Sequence, residues 1–199
     1  MSLDRRIEVI RAGFSGDADL ARGALRDDDD MVRVSALRAL DRAGALDDAE
    51  LAVALGDESS EVRRAAVQLS ATRRVEIAAL VNDPDLFVAE MAAWALGERT
   101  EPTDAEMETL IRNATEHTDA IVREACAAAL GSIGDVRGLP AILAACNDKP
   151  AVRRRAVLAL APFDGPEVDA ALAAALEDRD WQVRQNADDL VNPRLTPRD

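Results

Sequence analysis

The sequence predicts an all-α fold, a right-handed α-solenoid of about six two-helix repeats that form a single domain over residues 1–199. The first observation is a Val-Arg pair that recurs at intervals of roughly 30 residues. The second is that apolar residues follow each pair at helical spacing. The third is composition, because only 3% of the residues are aromatic, and a core of Ala, Leu and Val suits thin layers of closely packed helices. The pairs are Val32-Arg33, Val62-Arg63, Val122-Arg123, Val152-Arg153 and Val183-Arg184, with Val88-Ala89 as a degenerate copy.

Each Val-Arg pair lies in a predicted helix whose buried side is set by three positions. The Val, a small residue three positions after the Arg, and usually a Leu seven positions after it share one helical face. In the fourth copy these residues are Val122, Cys126 and Leu130. Most of these helices follow a residue that favours the N-cap, and the fifth copy has Pro150 in the first turn instead. The N-cap candidates are Asp29, Ser59, Asp85, Asp119 and Asp180.

A second apolar segment precedes each of these helices and completes the two-helix repeat. Thr103 to Glu106 fits a capping box, and Gly165-Pro166 fits an N-cap followed by Pro, so these segments are also predicted to be helical. We expect an N-terminal capping helix at about 3–12, repeats at about 17–192 and a short C-terminal tail at 193–199. The apolar segments are 20–25, 51–55, 77–81, 107–111, 139–143 and 168–176.

Two segments resemble a known repeat. Residues 122–140, VREACAAALGSIGDVRGLP, and residues 178–184, DRDWQVR, are similar to the HEAT-like repeat named after the phycobilisome lyases. The similarity extends over nearly the whole chain. It implies HEAT-like two-helix repeats stacked in a solenoid, and it transfers no catalytic residue to this sequence.

The resemblance also implies a ladder of ion pairs, since an Asp stands six residues before the Arg in such repeats. That position holds Asp27, Asp57, Asp83, His117, Asn147 and Asp178. An Arg in the first turn opposes the helix macrodipole and is partly covered by the next repeat, so we expect a neighbouring carboxylate to accept its hydrogen bonds. Ala89 lacks the cation and interrupts the ladder in the third repeat. The predicted ladder residues are Asp27, Arg33, Asp57, Arg63, Arg123, Arg153, Asp178 and Arg184.

The residue types that most catalytic sites need are scarce. With a single histidine, the pair Glu116-His117 is either a metal pair or, as we prefer, part of a turn, and no His-based metal cluster is available. The acidic run 27–30 either binds a divalent cation or serves as caps and ladder, which we favour. No Gly-rich phosphate loop occurs. Cys126 and Cys146 lie in apolar helical patterns, which favours a structural role. We predict no catalytic residue, no cofactor and no metal site.

The charge of the chain bears on location and partners. It has 24 Lys+Arg against 38 Asp+Glu, a net charge of −14, which repels nucleic acid and anionic lipid. No apolar run is long enough to span a membrane, and no N-terminal segment has the form of a signal peptide. We therefore expect a cytoplasmic protein that does not enter the membrane and does not bind nucleic acid.

An outward stripe on the second helices is the predicted binding surface, because these helices line the concave face in such arrays. Trp94 falls on the most outward position of its helix and is expected to be an exposed anchor for a partner. Trp181 is expected to pack between repeats. Positive and negative charges balance along the stripe, so this surface repels a protein partner least. The predicted concave-face residues are Arg38, Arg64, Gln68, Glu90, Trp94, Glu124, Arg154, Arg155 and Leu158.

These observations predict a non-enzymatic scaffold that binds a protein or peptide segment in its concave groove. The alternative is an enzyme or enzyme subunit that resembles a HEAT-like alkylpurine DNA glycosylase or a bilin lyase. Continuous positive potential with salt-dependent DNA affinity would favour the glycosylase, and genome neighbours encoding bilin proteins would favour the lyase.

Overall fold

The computed structural model describes residues 2–193, which form α-helices, short 3₁₀ turns and loops and contain no strand. The all-α prediction is therefore confirmed for the described chain. Residues 194–199 of the predicted C-terminal tail lie outside that range. The helices are α1 Ser2–Ser15, α2 Ala18–Gly23, α3 Asp30–Arg42, α4 Asp48–Leu55, α5 Ser60–Leu69, α6 Leu86–Gly97, α7 Asp104–Glu116, α8 Ala120–Ile133, α9 Leu139–Ala145, α10 Pro150–Ala159, α11 Pro166–Leu176 and α12 Trp181–Val191.

The chain divides into two compact units, one up to Ala95 and one from Leu96, which we call unit 1 and unit 2. In unit 1, α3 packs against α1 and α5, and α4 packs against α5. In unit 2, α8 packs against α7, α9 and α10, and α12 packs against α10 and α11. Within each unit, the helices that hold the Val-Arg pairs therefore contact both their own repeat and a neighbouring one.

The cores of both units are built from small and aliphatic side chains. In α8, the three positions Val122, Cys126 and Leu130 are fully buried, as their spacing predicts. None of the three Phe and two Trp residues is buried. The aromatic side chains of this protein therefore lie at or near the surface, and the core depends on close approach of helices.

Side-chain caps begin most of the Val-Arg helices. Thr103 and Glu106 also form the predicted capping box at the start of α7. Ser59 differs from the prediction, because its hydroxyl donates to the Asp30 carboxylate at 2.8 Å and does not cap α5. The carboxylates that accept backbone N–H groups at helix starts are Asp29 for α3, Asp85 for α6, Asp119 for α8 and Asp180 for α12.

The third repeat has a shorter first element than the sequence predicts. Its apolar segment forms a 3₁₀ turn, Ala78–Asn82, where an α-helix was expected. Pro84 follows directly after Asp83, whose backbone is extended, with φ −61° and ψ 142°. Because a residue before Pro disfavours the helical conformation, the segment ends after a single turn.

Glycine allows helices of successive repeats to approach closely. A Cβ added at Gly13 of α1 would lie 2.7 Å from the Cα of Ala39 in α3. The same contact recurs in unit 2, where a Cβ at Gly131 would lie 2.6 Å from the Cα of Ala159. Any side chain at these positions would push two helix backbones apart, so glycine sets the distance between them.

We predict that Gly13→Ala lowers the free energy of unfolding by about 2 kcal/mol, because the methyl group overpacks the contact with α3. At an open helical position the same change stabilises by about 1 kcal/mol. Gly23 in α2 is a matched control, since an added Cβ would meet no atom within 4 Å. Urea unfolding of the two variants should give changes of opposite sign, and stabilisation by Gly13→Ala would contradict the packing argument.

Candidate functional site

An arginine in each of several repeats joins that repeat to the next one along the chain. In unit 1, Arg33 donates from Nε and Nη2 to the two carboxylate oxygens of Asp57, at 2.9 and 2.7 Å. Its Nη1 donates to the backbone carbonyl of Asp27 at 2.8 Å. The guanidinium thus binds the carboxylate of the following repeat and the backbone of its own. This bidentate geometry satisfies the donors of the arginine and fixes how the two repeats meet.

Three more arginines have the same arrangement, with N–O distances between 2.6 and 2.9 Å. The carboxylate that pairs with each arginine therefore comes from the next repeat, not from six residues before. In the fifth repeat the acceptor is Asp148, which the sequence pattern missed in favour of Asn147. The pairs are Arg63–Asp83, Arg123–Asp148 and Arg153–Asp178.

Each acceptor side chain also shapes the turn before the next helix. Asp57 and Asp178 accept the backbone N–H two residues later, at 2.8 and 2.7 Å. The Nδ1 atom of His117 takes this role in its own turn, accepting the N–H of Asp119 at 3.1 Å. Imidazole can therefore replace carboxylate in the turn. The repeat before it is the one in which Ala89 replaces arginine, so the two departures from the pattern are consecutive.

In unit 2, the ion pairs lower the pKa of the two acceptor carboxyl groups. The guanidinium of Arg153 lowers the pKa of Asp178, and that of Arg123 lowers the pKa of Asp148. Arg184, in the last repeat, is exposed, and its Nη1 donates to the Asp178 carbonyl at 2.6 Å. The ladder thus consists of buried pairs within each unit and an exposed arginine near the end of the described chain.

Four residues of the predicted binding face lie around one cavity of about 390 Å³ in unit 1. Helix α5 contributes two lining residues and α6 contributes four. The α6 residues follow the i, i+3, i+4, i+7 spacing of a single helix face. Phe87 and Met91 are additions that the predicted stripe did not include, although this spacing identifies them once Trp94 is taken as the reference. The cavity is lined by Arg64, Gln68, Phe87, Glu90, Met91 and Trp94.

The wall of this cavity combines apolar and polar side chains and has one carboxylate without a salt bridge. Phe87 is 65% exposed and Trp94 44% exposed. The charge of Arg64 is neutralised by Glu61, with 2.5 Å between Nη2 and Oε2. Glu90 is exposed and forms no ion pair with the described residues. A ligand here would contact two aromatic side chains and one carboxylate.

In unit 2, the charged residues of the predicted face form ion pairs within the unit. Arg155 lies 3.6 Å from Glu124, and Arg154 binds Asp180 through two donors at 2.5 and 3.1 Å. Leu158 is partly exposed beside them. The charged residues there already have partners within unit 2. In unit 1, Arg38 is exposed on α3 but does not line the cavity.

Trp181 corrects a prediction, because it is 64% exposed and does not pack between repeats. It is the first residue of α12, directly after the N-cap Asp180. A side chain in the first turn, ahead of the buried Val183, can remain in solvent without opening the core.

More than half of the chain matches a known family of repeat proteins. The family model described as HEAT repeats matches residues 75–151 and 107–189, which together cover more than half of the chain. The chain belongs to the HEAT repeat family. The finer resemblance to the phycobilisome-lyase type stays a prediction. No curated protein matches the sequence.

Solved structures similar to this HEAT repeat protein are also repeat proteins. A designed armadillo repeat protein in complex with the peptide (KR)4 has a TM-score of 0.61 at 16% identity, with 87% of this chain and 97% of that chain covered. YibA of Escherichia coli has a TM-score of 0.62 at 18% identity, with 87% and 69% covered. A computationally designed armadillo repeat protein for modular peptide recognition has a TM-score of 0.55 at 17% identity, with 92% and 97% covered. These likenesses show the α-solenoid fold that the sequence predicted.

The cysteines, the potential metal ligands and the helix lengths of the HEAT repeat protein were the remaining features of interest in the sequence. Burial raises the pKa of the Cys126 thiol to about 12 and that of Cys146 to about 11, so neither is a thiolate near neutral pH. Over residues 2–193, no three His, Cys, Asp or Glu side chains are grouped as metal ligands. Within the same range, the helices are too short or too polar to cross a bilayer.

The ladder gives a prediction for unit 2. Arg153→Ala should lower the free energy of unfolding by about 3 kcal/mol, since it leaves the mostly buried Asp178 carboxylate without its cation. Asp178→Ala should have a similar cost, and the double variant should cost less than the sum of the two. Arg137 is a matched control, because its ion pairs with Asp104 and Asp135 are exposed, and Arg137→Ala should change little. Additive costs in the cycle would contradict the pairing.

The lowered pKa values predict acid sensitivity. A carboxyl group whose pKa is lower in the folded state than its unfolded value of about 3.9 stabilises the fold above that pH. The stabilisation is lost as the pH falls through the interval down to the folded pKa. We therefore expect the free energy of unfolding to be level above about pH 5 and to fall below about pH 4. Asp178→Asn should have a shallower fall over the same interval, and parallel curves would contradict the contribution of this carboxylate.

Proposed function

We propose that this HEAT repeat protein is a non-catalytic scaffold that binds a peptide or protein segment at the cavity between α5 and α6. The observation that supports it is the pair of exposed aromatic side chains, Phe87 and Trp94, on the wall of that cavity. The chain has only five aromatic residues, and its core uses none of them. Two of them on one solvent-open cavity are therefore better explained by a binding role than by packing.

The spacing of the apolar groups fits a segment lying along α6. Phe87 and Trp94 are two turns apart, which places them about 10 Å from each other along the helix axis, with Met91 between them. A helix with apolar residues at i, i+3 and i+7, or an extended strand of three to four residues, matches this length. Gln68 offers amide groups on the opposite wall for a peptide backbone.

The similar structures support the same class of partner. Two of them are designed armadillo repeat proteins, one in complex with a peptide and one made for peptide recognition. A stack of short helices provides rigid walls, so little ordering is needed when a peptide binds. The excess negative charge of this chain weighs against nucleic acid as the occupant. We therefore propose surface binding as the function. Cys126 and Cys146 are free thiols, as is usual in a reducing compartment, and we propose a cytoplasmic location.

The proposal predicts separate effects of Trp94→Ala on stability and on binding. Stability should fall by about 1 kcal/mol, below the 3 to 5 kcal/mol expected for a buried Trp, because the side chain is nearly half exposed. Peptides selected from a displayed library on the purified protein should bind the variant about thirtyfold more weakly, a loss of about 2 kcal/mol. The measurement is a fluorescence titration of Trp94 in a Trp181→Phe background for the parent protein, and competition for the variant.

The matched control is Trp181→Ala, which removes a tryptophan from unit 2 that is more exposed than Trp94. It should leave the affinity of the selected peptides unchanged. Equal losses for the two variants, or selected peptides that bind without Trp94, would contradict the assignment of the site. Reproducible turnover of a small molecule or of alkylated DNA by the purified protein would favour the enzyme alternative.

A further inference from the structure

Helix α1 has an apolar stripe that unit 1 leaves partly or largely exposed to solvent. Leu3, Ile7, Ile10 and Phe14 follow the i, i+4, i+7, i+11 spacing and share one face of the helix. All four are exposed, from 38% for Ile7 to 73% for Phe14. A helix that packs on one face ordinarily has polar and charged residues on its opposite face. The outer face of α1 is the opposite.

The stripe is held rigidly by the other side of the helix. Val9 and Ala12 of α1 are buried, and Gly13 lies in close contact with Ala39 of α3. The guanidinium of Arg42 lies over the Phe14 ring, 4.4 Å from its centroid, and restricts the ring. The apolar side chains are therefore already placed for contact, so little conformational entropy is lost when they are covered.

A second copy of the helix in antiparallel orientation matches the stripe. With a twofold axis near the middle of α1, Leu3 faces Phe14 of the second copy, and Ile7 faces Ile10 of the second copy. The pairing is the same in both directions, as a twofold contact requires. It covers all four apolar residues of each helix.

The charges beside the stripe favour the same pairing. Asp4 and Arg11 lie along one edge of the stripe, two turns apart. In an antiparallel pair, residues on that edge face the same edge of the other copy, so Asp4 comes beside Arg11 of the second copy, twice. The opposite edge is turned toward α3, where Gly13 is buried against Ala39, so it adds no like-charge contact between the copies. Self-pairing thus satisfies both the apolar and the charged pattern.

We propose that two copies of this chain associate through antiparallel pairing of α1. A helix of this length is about 21 Å long, so the contact lies at the small end of specific interfaces, below about 1,200 Å². The net charge of −14 on each copy opposes association, and salt screens that repulsion. We therefore expect a dissociation constant in the micromolar range that decreases as salt rises from low to moderate concentration. The surface is separate from the α5–α6 cavity and does not depend on the function proposed for it.

Sedimentation velocity of the full chain over a range of concentrations tests this proposal. The weight-average mass should rise from 21.3 kDa toward twice that value as the concentration increases. Ile7→Asp should abolish the rise, because it places a charge at the centre of the contact. Val53→Asp is the matched control, since Val53 is an exposed apolar residue on α4, and it should leave the dimer unchanged.

A charge exchange distinguishes self-pairing from any other association. Arg11→Glu should weaken the dimer about fivefold, since it places two carboxylates together at each of the two symmetric contacts. The double variant Asp4→Arg, Arg11→Glu should restore the affinity to near that of the parent. A monomer at all concentrations would overturn the proposal. So would a dimer that survives Ile7→Asp, or a double variant that is weaker than Arg11→Glu.

Discussion

The architecture depends on one interaction, an arginine that binds the carboxylate of the next repeat with two donors and a backbone carbonyl of its own repeat with a third. A two-helix repeat cannot bury its own apolar face, so its fold is defined only when the neighbour is in register. Apolar contacts alone tolerate sliding, whereas a bidentate pair accepts one geometry. Desolvation offsets much of the Coulomb attraction in such pairs, so we assign the ladder to specificity of stacking more than to net stability.

Small residues, together with the ladder of ion pairs, set how closely neighbouring helices pack. Because no aromatic side chain is buried, each layer holds little volume, and stability requires backbones to lie close together. Gly13 against Ala39 and Gly131 against Ala159 are the places where this requirement is strictest. The same glycines would be weak positions in isolated helices, since glycine lowers helix propensity. Their cost within the helix is offset by the contact that they allow between helices.

The second helix of each repeat could be predicted from the sequence because the residues that define it lie close together in the chain. Val, the small residue, Leu and the N-cap recur at fixed offsets. The buried face of α8 and that of α12 could therefore be predicted from the sequence. The ladder partners could not be read in this way, because the separation from each arginine to its carboxylate is 24, 20, 25 and 25 residues. That distance varies with the loops and the first helix, and so Asp148 was missed. Phe87 was missed for a different reason, since it lies in the first turn of α6, ahead of the residues used to set the outward direction.

The exposed apolar side chains of this protein are not explained by packing in the core. On a chain with 38 acidic residues, exposed aliphatic and aromatic groups are costly, and charged side chains would serve solubility better at those positions. In unit 1 such groups are concentrated on α1 and on the α6 wall of the cavity, and each set follows helical spacing on a single face. Scattered exposure would need no explanation. Two ordered stripes on rigid helices, in a fold whose core uses no aromatic residue, support the proposal that these residues serve binding at the surface.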